Sequence, residues 1–133
     1  MVHHQARGLG PISALPGYLA ARVPSLDWSR PHRGKVGQDG GELVRAALGV
    51  LLDSKSLREV LIRSVALGGD TDTTAAVAMA PAAVSAELAR DLPESLHAEL
   101  EDGPYGLRFL ASIDRRLAER FGLPAVSAGG GLR

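Results

Sequence analysis

From position 42 onward, apolar residues recur three and four places apart, the rhythm of a helix with one face turned toward a core. Leu43, Ala46, Ala47, Val50 and Leu51 make the first such stripe, and Asp53 with Ser54 interrupts it. Ser56 with Glu59 three residues later has the form of a capping box, in which each side chain satisfies a free N–H at a helix start. The helix that follows carries Leu57, Val60, Leu61 and Val65 as its apolar stripe and stops at Gly68-Gly69. A third helix is predicted from Asp70 or Thr71 through the alanine-rich TAAVAMAPAAVSAELAR. Pro81 should kink or locally break it, because the ring removes an N–H and crowds the preceding turn. Asp91, Pro93 and Glu94 read as another helix start, leading into Leu96 and Leu100. After EDGPYG, a last helix places Leu110, Ile113, Leu117 and Phe121 on one side and Asp114, Arg115, Arg116, Glu119 and Arg120 on the other.

Upstream of these stripes the rhythm is lost. Residues 1–40 are punctuated by glycine and proline, and only Ile12 to Val23 has room for a short helix, limited by Pro16. The predicted organisation is an irregular segment over 1–40, a helical domain over 41–124 and a disordered tail over 125–133. With no strand pattern and no internal repeat, the fold class is all-α.

Composition sharpens this picture. Aromatics make up 4% of the chain while alanine and leucine abound, a balance that suits helix on helix rather than sheet on sheet. The length, 133 residues, suits one domain with its own core. Fifteen basic and 15 acidic residues give a formal net charge of +0, so no global field draws nucleic acid or an anionic membrane. There is no cysteine, which excludes disulfides and thiolate metal ligands. No apolar run approaches the roughly 20 residues that span a bilayer, and MVHHQARGLG lacks the apolar core of a secretory signal. The expectation is a soluble cytoplasmic protein that partners neither membrane nor nucleic acid.

Chemistry concentrates at Gly68-Gly69-Asp70-Thr71-Asp72-Thr73-Thr74. Two carboxylates and up to three hydroxyls follow a glycine pair at a helix entry, and all are hard oxygen donors of the kind Mg²⁺, Mn²⁺ or Ca²⁺ prefers. The glycines can adopt positive φ and turn the chain tightly enough for the following side chains to converge. Asp70 and Thr73 share a helix face, and Asp72 points from an adjacent position. The same residues also suit a simple turn and helix cap. An EF-hand reading fails, since its sixth and twelfth positions would be Ala75 and Pro81. A phosphate-binding P-loop fails for want of a lysine after the glycines. A second candidate is the loop Gly34-Lys35-Val36-Gly37-Gln38-Asp39-Gly40-Gly41, whose glycines can bring N–H groups near a pyrophosphate with Lys35 adding charge. The same loop also suits a plain connector. Trp28 suits either stacking on adenine or anchoring a core, and His3, His4, His32 and His97 show no ligand spacing and read as surface residues.

The run LIRSVALGGDTDTTAAVAMA closely resembles the C-terminal signature of the ADP-ribosylglycohydrolases, where an apolar helix leads into GGDTDT and an alanine-rich helix. RGKVGQDGGELVRAAL upstream and DLPESLHAELEDGPYGLRFLASIDRRL downstream extend the similarity over roughly residues 33–122. The resemblance implies an all-α orthogonal bundle, here its C-terminal portion, and hydrolysis of the glycosidic bond between ADP-ribose and a modified side chain or small molecule. It implies a pair of Mg²⁺ or Mn²⁺ ions, with Asp70 and Thr73 on one and Asp72 bridging both, so that Asp70 and Asp72 are the catalytic carboxylates. Lys35, Gly37 and Gly69 would fall on the substrate side. The family's remaining ligands come from an N-terminal half bearing a Thr-Asp-Asp-Thr motif, which this sequence lacks. The chain is therefore expected to be a fragment, a split or degenerate gene product, or one half of a two-chain assembly in which a separate N-terminal half completes the site for an ADP-ribosylated substrate. The alternative is a catalytically inactive helical module that binds ADP-ribose or a protein.

Overall fold

The computed structural model describes residues 1–30, 32 and 34–122, with His97 described by its main chain only. The tail expected from Ala125 lies outside these residues. The described chain is helical, with no strand among the described residues, and it divides into two compact units, Met1–Leu92 and Pro93–Arg133. Among the described residues no helix is long and apolar enough to cross a membrane.

In the first unit, α1 (Val2–Ala6), a 3₁₀ turn (Ile12–Ala14) and α2 (Leu15–Ala20) precede three longer helices: α3 (Gly40–Leu52), α4 (Leu57–Ala66) and α5 (Thr71–Val84). The N-terminal stretch is thus more helical than its glycines and prolines suggest. It also supplies core: Ile12, Leu15, Leu19 and Trp28 pack into one cluster with Ala47, Leu48, Val50 and Leu51 of α3, Leu57 and Val60 of α4, and Ala78 and Ala82 of α5. Pro16 is tolerated because it falls in the first turn of α2, where its missing N–H would have had no helical partner. Trp28 is a packing anchor, its indole Nε1–H donating to the Val23 carbonyl at 2.8 Å. His4 corrects the reading of the histidines as surface residues. It is 2% exposed, and its ring packs edge-on against Tyr18 at 4.7 Å between centroids. Burial follows from packing of α1 against α5, which helical spacing alone does not reveal.

The stripe on α3 is buried as its spacing predicts. On α4 the stripe is displaced: Leu57 and Val60 are buried, Val65 is 56% exposed, and Ser64 lies fully inside. Ser64 is accommodated because its hydroxyl donates back to the Val60 carbonyl at 2.8 Å, so no polar atom is left unpaired.

The third helix is shorter than predicted. It holds Pro81 inside but ends at Val84, where Ser85 turns to extended backbone. Proline removes the N–H that would bond to the Val77 carbonyl, weakening the last turn. The chain then runs back past the start of α4. The Leu57 N–H donates to the Ala89 carbonyl, that of Ala89 to Lys55, and that of Arg58 to the Asp91 carboxylate at 2.9 Å. Ser56 Oγ accepts from the Glu59 N–H, as the capping box requires, while Glu59 reaches the N–H of Lys55. The N–H groups of Leu57, Arg58 and Glu59 in the first turn of α4 are thereby satisfied. Asp91, read from sequence as the start of a following helix, is instead a cap for α4. Its residue type announced a cap, but not the helix it would serve.

The N–H of Arg58, with the hydroxyl of Ser56, holds the Asp91 carboxyl below the ordinary carboxylate range. A carboxyl whose folded value lies below its unfolded value stabilises the fold above the unfolded pKa, about 3.9, and loses that contribution as pH falls through the folded value. Asp91→Asn is therefore expected to lower the melting temperature at neutral pH and to converge with the parent chain as pH falls through the folded value of Asp91, in paired thermal melts.

The second unit holds α6 (Ser95–Ala98) and α7 (Leu107–Phe121). The predicted helix through Leu100 is only the short α6, with Leu100 outside it and exposed. In α7 the helical span matches its pattern, and Leu110, Leu117 and Phe121 are exposed along it. Asp102 caps its start, accepting from the Arg108 N–H at 3.0 Å and pairing with the Arg108 guanidinium.

Candidate functional site

The acidic corner is built by backbone before any side chain takes part. Gly68 and Gly69 both adopt positive φ, +74° and +80°, as the tight turn after α4 requires. Gly69 has a second reason to lack a side chain: a Cβ there would lie 2.1 Å from the Val36 carbonyl oxygen. That close approach is an isolated parallel bridge between Val36 and Gly69. The Val36 N–H donates to the Gly68 carbonyl at 3.1 Å, and the Asp70 N–H donates to the Val36 carbonyl at 3.0 Å. Val36 itself is 3% exposed and packs with Leu43 and Ala46 of α3. The loop before α3 is thereby stitched to the residue that opens α5.

Asp70 occupies the N-cap position of α5 yet makes no side-chain cap hydrogen bond. The simple capping role does not use up its carboxylate. The Asp70 carbonyl takes the local work instead, accepting from the Thr74 N–H at 3.2 Å and the Thr74 hydroxyl at 2.7 Å. Thr74, fully buried, is thus structural, and its hydroxyl is not free to serve as a ligand. Asp72, in the first turn of α5, is exposed, as is Thr73, while Asp70 is half-buried.

A hydrogen bond shared with the Asp70 side chain, ahead of those from the N–H groups of Thr73 and of Asp72 itself, holds the Asp72 carboxyl below the ordinary carboxylate range. Both acidic residues stand at the start of α5, where the positive end of the helix dipole favours negative charge. Asp70, Asp72 and Thr73 all lie at the start of α5 and carry only oxygen donors, the type a hard divalent cation takes. Among the described residues no three His, Asp or Glu side chains gather into one group, so the corner offers about half of the six or more oxygens such an ion takes.

The loop candidates divide. Lys35 is exposed and its stem runs past Gly68, where an added Cβ would stand 3.6 Å from Lys35 Cγ. Gly37 faces Glu42, whose Oε2 would be 3.3 Å from an added Cβ. The cavity of about 250 Å³ lined by His32, Gly49, Asp53, Arg63 and Leu67 among others includes none of the candidate ligands. What the residue types could not announce was Val36, because it acts through its main chain alone.

A family model described as ADP-ribosylglycohydrolase matches residues 10–126 of this chain. The chain belongs to the ADP-ribosylglycohydrolase family. The match carries the kinship upstream of the loop, to the segment that holds Ile12, Leu15 and Leu19. No curated protein and no solved structure gives a match. Membership accords with the helical architecture and supports a glycohydrolase-type function.

Proposed function

We propose that this ADP-ribosylglycohydrolase family member is a metal-dependent hydrolase module that acts on the glycosidic bond between ADP-ribose and a modified side chain or small molecule. The observation that carries the reading is the Asp70 carboxylate, which makes no cap hydrogen bond at the start of α5, two residues from Asp72 on a glycine turn pinned to Val36. In this proposal Asp70 and Thr73 hold one Mg²⁺ or Mn²⁺ and Asp72 reaches a second. The bound ions would polarise the scissile bond and lower the pKa of an attacking water. The residues of the chain do the remaining work. The carboxylates of Asp70 and Asp72 stabilise positive charge developing at the anomeric carbon. Lys35, held beside the glycine pair, is placed to meet a pyrophosphate, whereas the space beside Gly69 is filled by the Val36 backbone and Gly37 borders the Glu42 carboxylate.

The half-complete donor set favours a separate N-terminal half as partner. Ile62 and Val65 on α4, each 56% exposed, offer apolar surface for further helices to cover. The test is release of ADP-ribose from a panel of ADP-ribosylated side-chain and small-molecule substrates in Mn²⁺, with the chain alone and with an added N-terminal half of the family. Turnover that needs both halves and disappears in Asp72→Ala supports the proposal. No turnover under metal saturation with both halves present would overturn it.

The same shortage of ligands supports a second reading, an inactive module that binds ADP-ribose or a protein. ADP-ribose binding that survives Asp72→Ala without turnover would favour that reading.

A further inference from the structure

The loop that buttresses the acidic corner is itself held by two side chains. His32, in the irregular stretch before the loop, has a side chain only 7% exposed, and that of Glu42 in the first turn of α3 is 29% exposed. His32 Nε2 stands 2.8 Å from the Gly34 carbonyl oxygen. A carbonyl only accepts, so this ring nitrogen carries the hydrogen and donates it. The other nitrogen, Nδ1, faces Glu42 Oε1 at 3.5 Å and pairs with that carboxylate when the ring carries a second proton, since both ring nitrogens are then donors. The second carboxylate oxygen of Glu42 lies over Gly37, where even a methyl group would meet it at 3.3 Å. The Glu42 N–H, in turn, donates to Asp39 Oδ1 at 2.7 Å, the cap of α3.

Residues 34–39 are thus gripped from both ends. His32 holds Gly34, Asp39 is bound to the start of α3, and Glu42 faces His32 with one oxygen and the open side of Gly37 with the other. At the middle of the gripped loop sits Val36, whose N–H and carbonyl are the groups that fix Gly68 and Asp70. We infer that His32 and Glu42 form a positioning clamp, which sets the Val36–Gly69 bridge and through it the directions of the Asp70 and Asp72 carboxylates. Neither residue touches the reacting groups. Their consequence for catalysis rests on the function proposed above, but the clamp itself does not.

Amide hydrogen exchange tests it on the metal-free chain, read at Val36 and Asp70, whose N–H groups span the bridge, and at Ser64 in the middle of α4 as a reference. His32→Ala and Glu42→Ala are each expected to speed exchange at Val36 and Asp70 by about tenfold, with Ser64 unchanged, the size expected for losing a partly buried pair that controls local opening. The double variant should fall short of the sum of the two single ones, because the residues share the His32–Glu42 contact and hold the same loop. Glu42→Gln keeps the side-chain shape and secures the test should an alanine variant fail to fold; it should show the same local effect, and Glu42→Asp should recover part of the protection. Unchanged exchange at Val36 and Asp70, or an equal rise at Ser64, or full additivity in the double variant, would overturn the clamp. Mn²⁺ titration of the same variants separates the two ideas. Local protection that depends on the pair in a chain that binds no Mn²⁺ leaves the clamp standing and removes the metal site.

Discussion

Gly69→Ala is expected to destabilise the chain by about 3 kcal/mol and to dissolve the acidic corner. Two terms make up that figure. An L-residue at a φ of +80° costs roughly 1–2 kcal/mol. The added Cβ, 2.1 Å from the Val36 carbonyl oxygen, also forces the bridge open, removing two backbone hydrogen bonds of roughly 1 kcal/mol each. Gly68→Ala is the internal control. Its φ is +74°, but the nearest atom to an added Cβ is Lys35 Cγ at 3.6 Å, on a flexible exposed side chain. Only the backbone term remains there, about 1–2 kcal/mol. Urea denaturation of the two variants should rank them in that order, and equal losses would mean that the Val36 bridge contributes nothing.

Asp72→Ala is expected to leave the metal-free fold intact and to abolish its response to metal. Asp72 is exposed, so its removal opens no cavity and breaks no core contact. With Mn²⁺ well above its dissociation constant, the parent chain should melt several degrees higher than without it, because an ion bound only by the folded state adds its binding free energy to stability. The variant should melt at the same temperature with and without Mn²⁺. Thr74→Val provides a contrast. Its buried hydroxyl anchors the Asp70 carbonyl, so this change should lower the melting temperature whether or not metal is present.

The contrast between these residues shows what was legible in the chain. GGDTDT announced a tight turn followed by oxygen donors, and both glycines do take positive φ. The stripe of α3 and the Ser56 cap of α4 follow from side-chain chemistry confined to a few neighbouring residues, which is why spacing sufficed. The misread elements depend on residues far apart in sequence. Asp91 caps a helix 33 residues before it. His4 is buried because α1 packs on α5, and Val65 is exposed while Ser64 turns inward. Val36 contributes two main-chain groups, which any residue other than proline possesses, so no pattern of side chains marks it. The donor set at the corner was visible in the sequence, but its support from a loop more than 30 residues upstream was not.

The account stands on Asp70 and Asp72 acting together as oxygen ligands. The most direct measurement is an electron paramagnetic resonance titration of Mn²⁺ with the parent chain, Asp70→Ala, Asp72→Ala and, as a distant carboxylate control, Asp91→Asn. Loss of the free-ion signal with the parent chain and Asp91→Asn, together with its persistence in both Asp70→Ala and Asp72→Ala, is the predicted result. Equal binding by all four proteins, or no binding by the parent chain at any protein concentration, would contradict it.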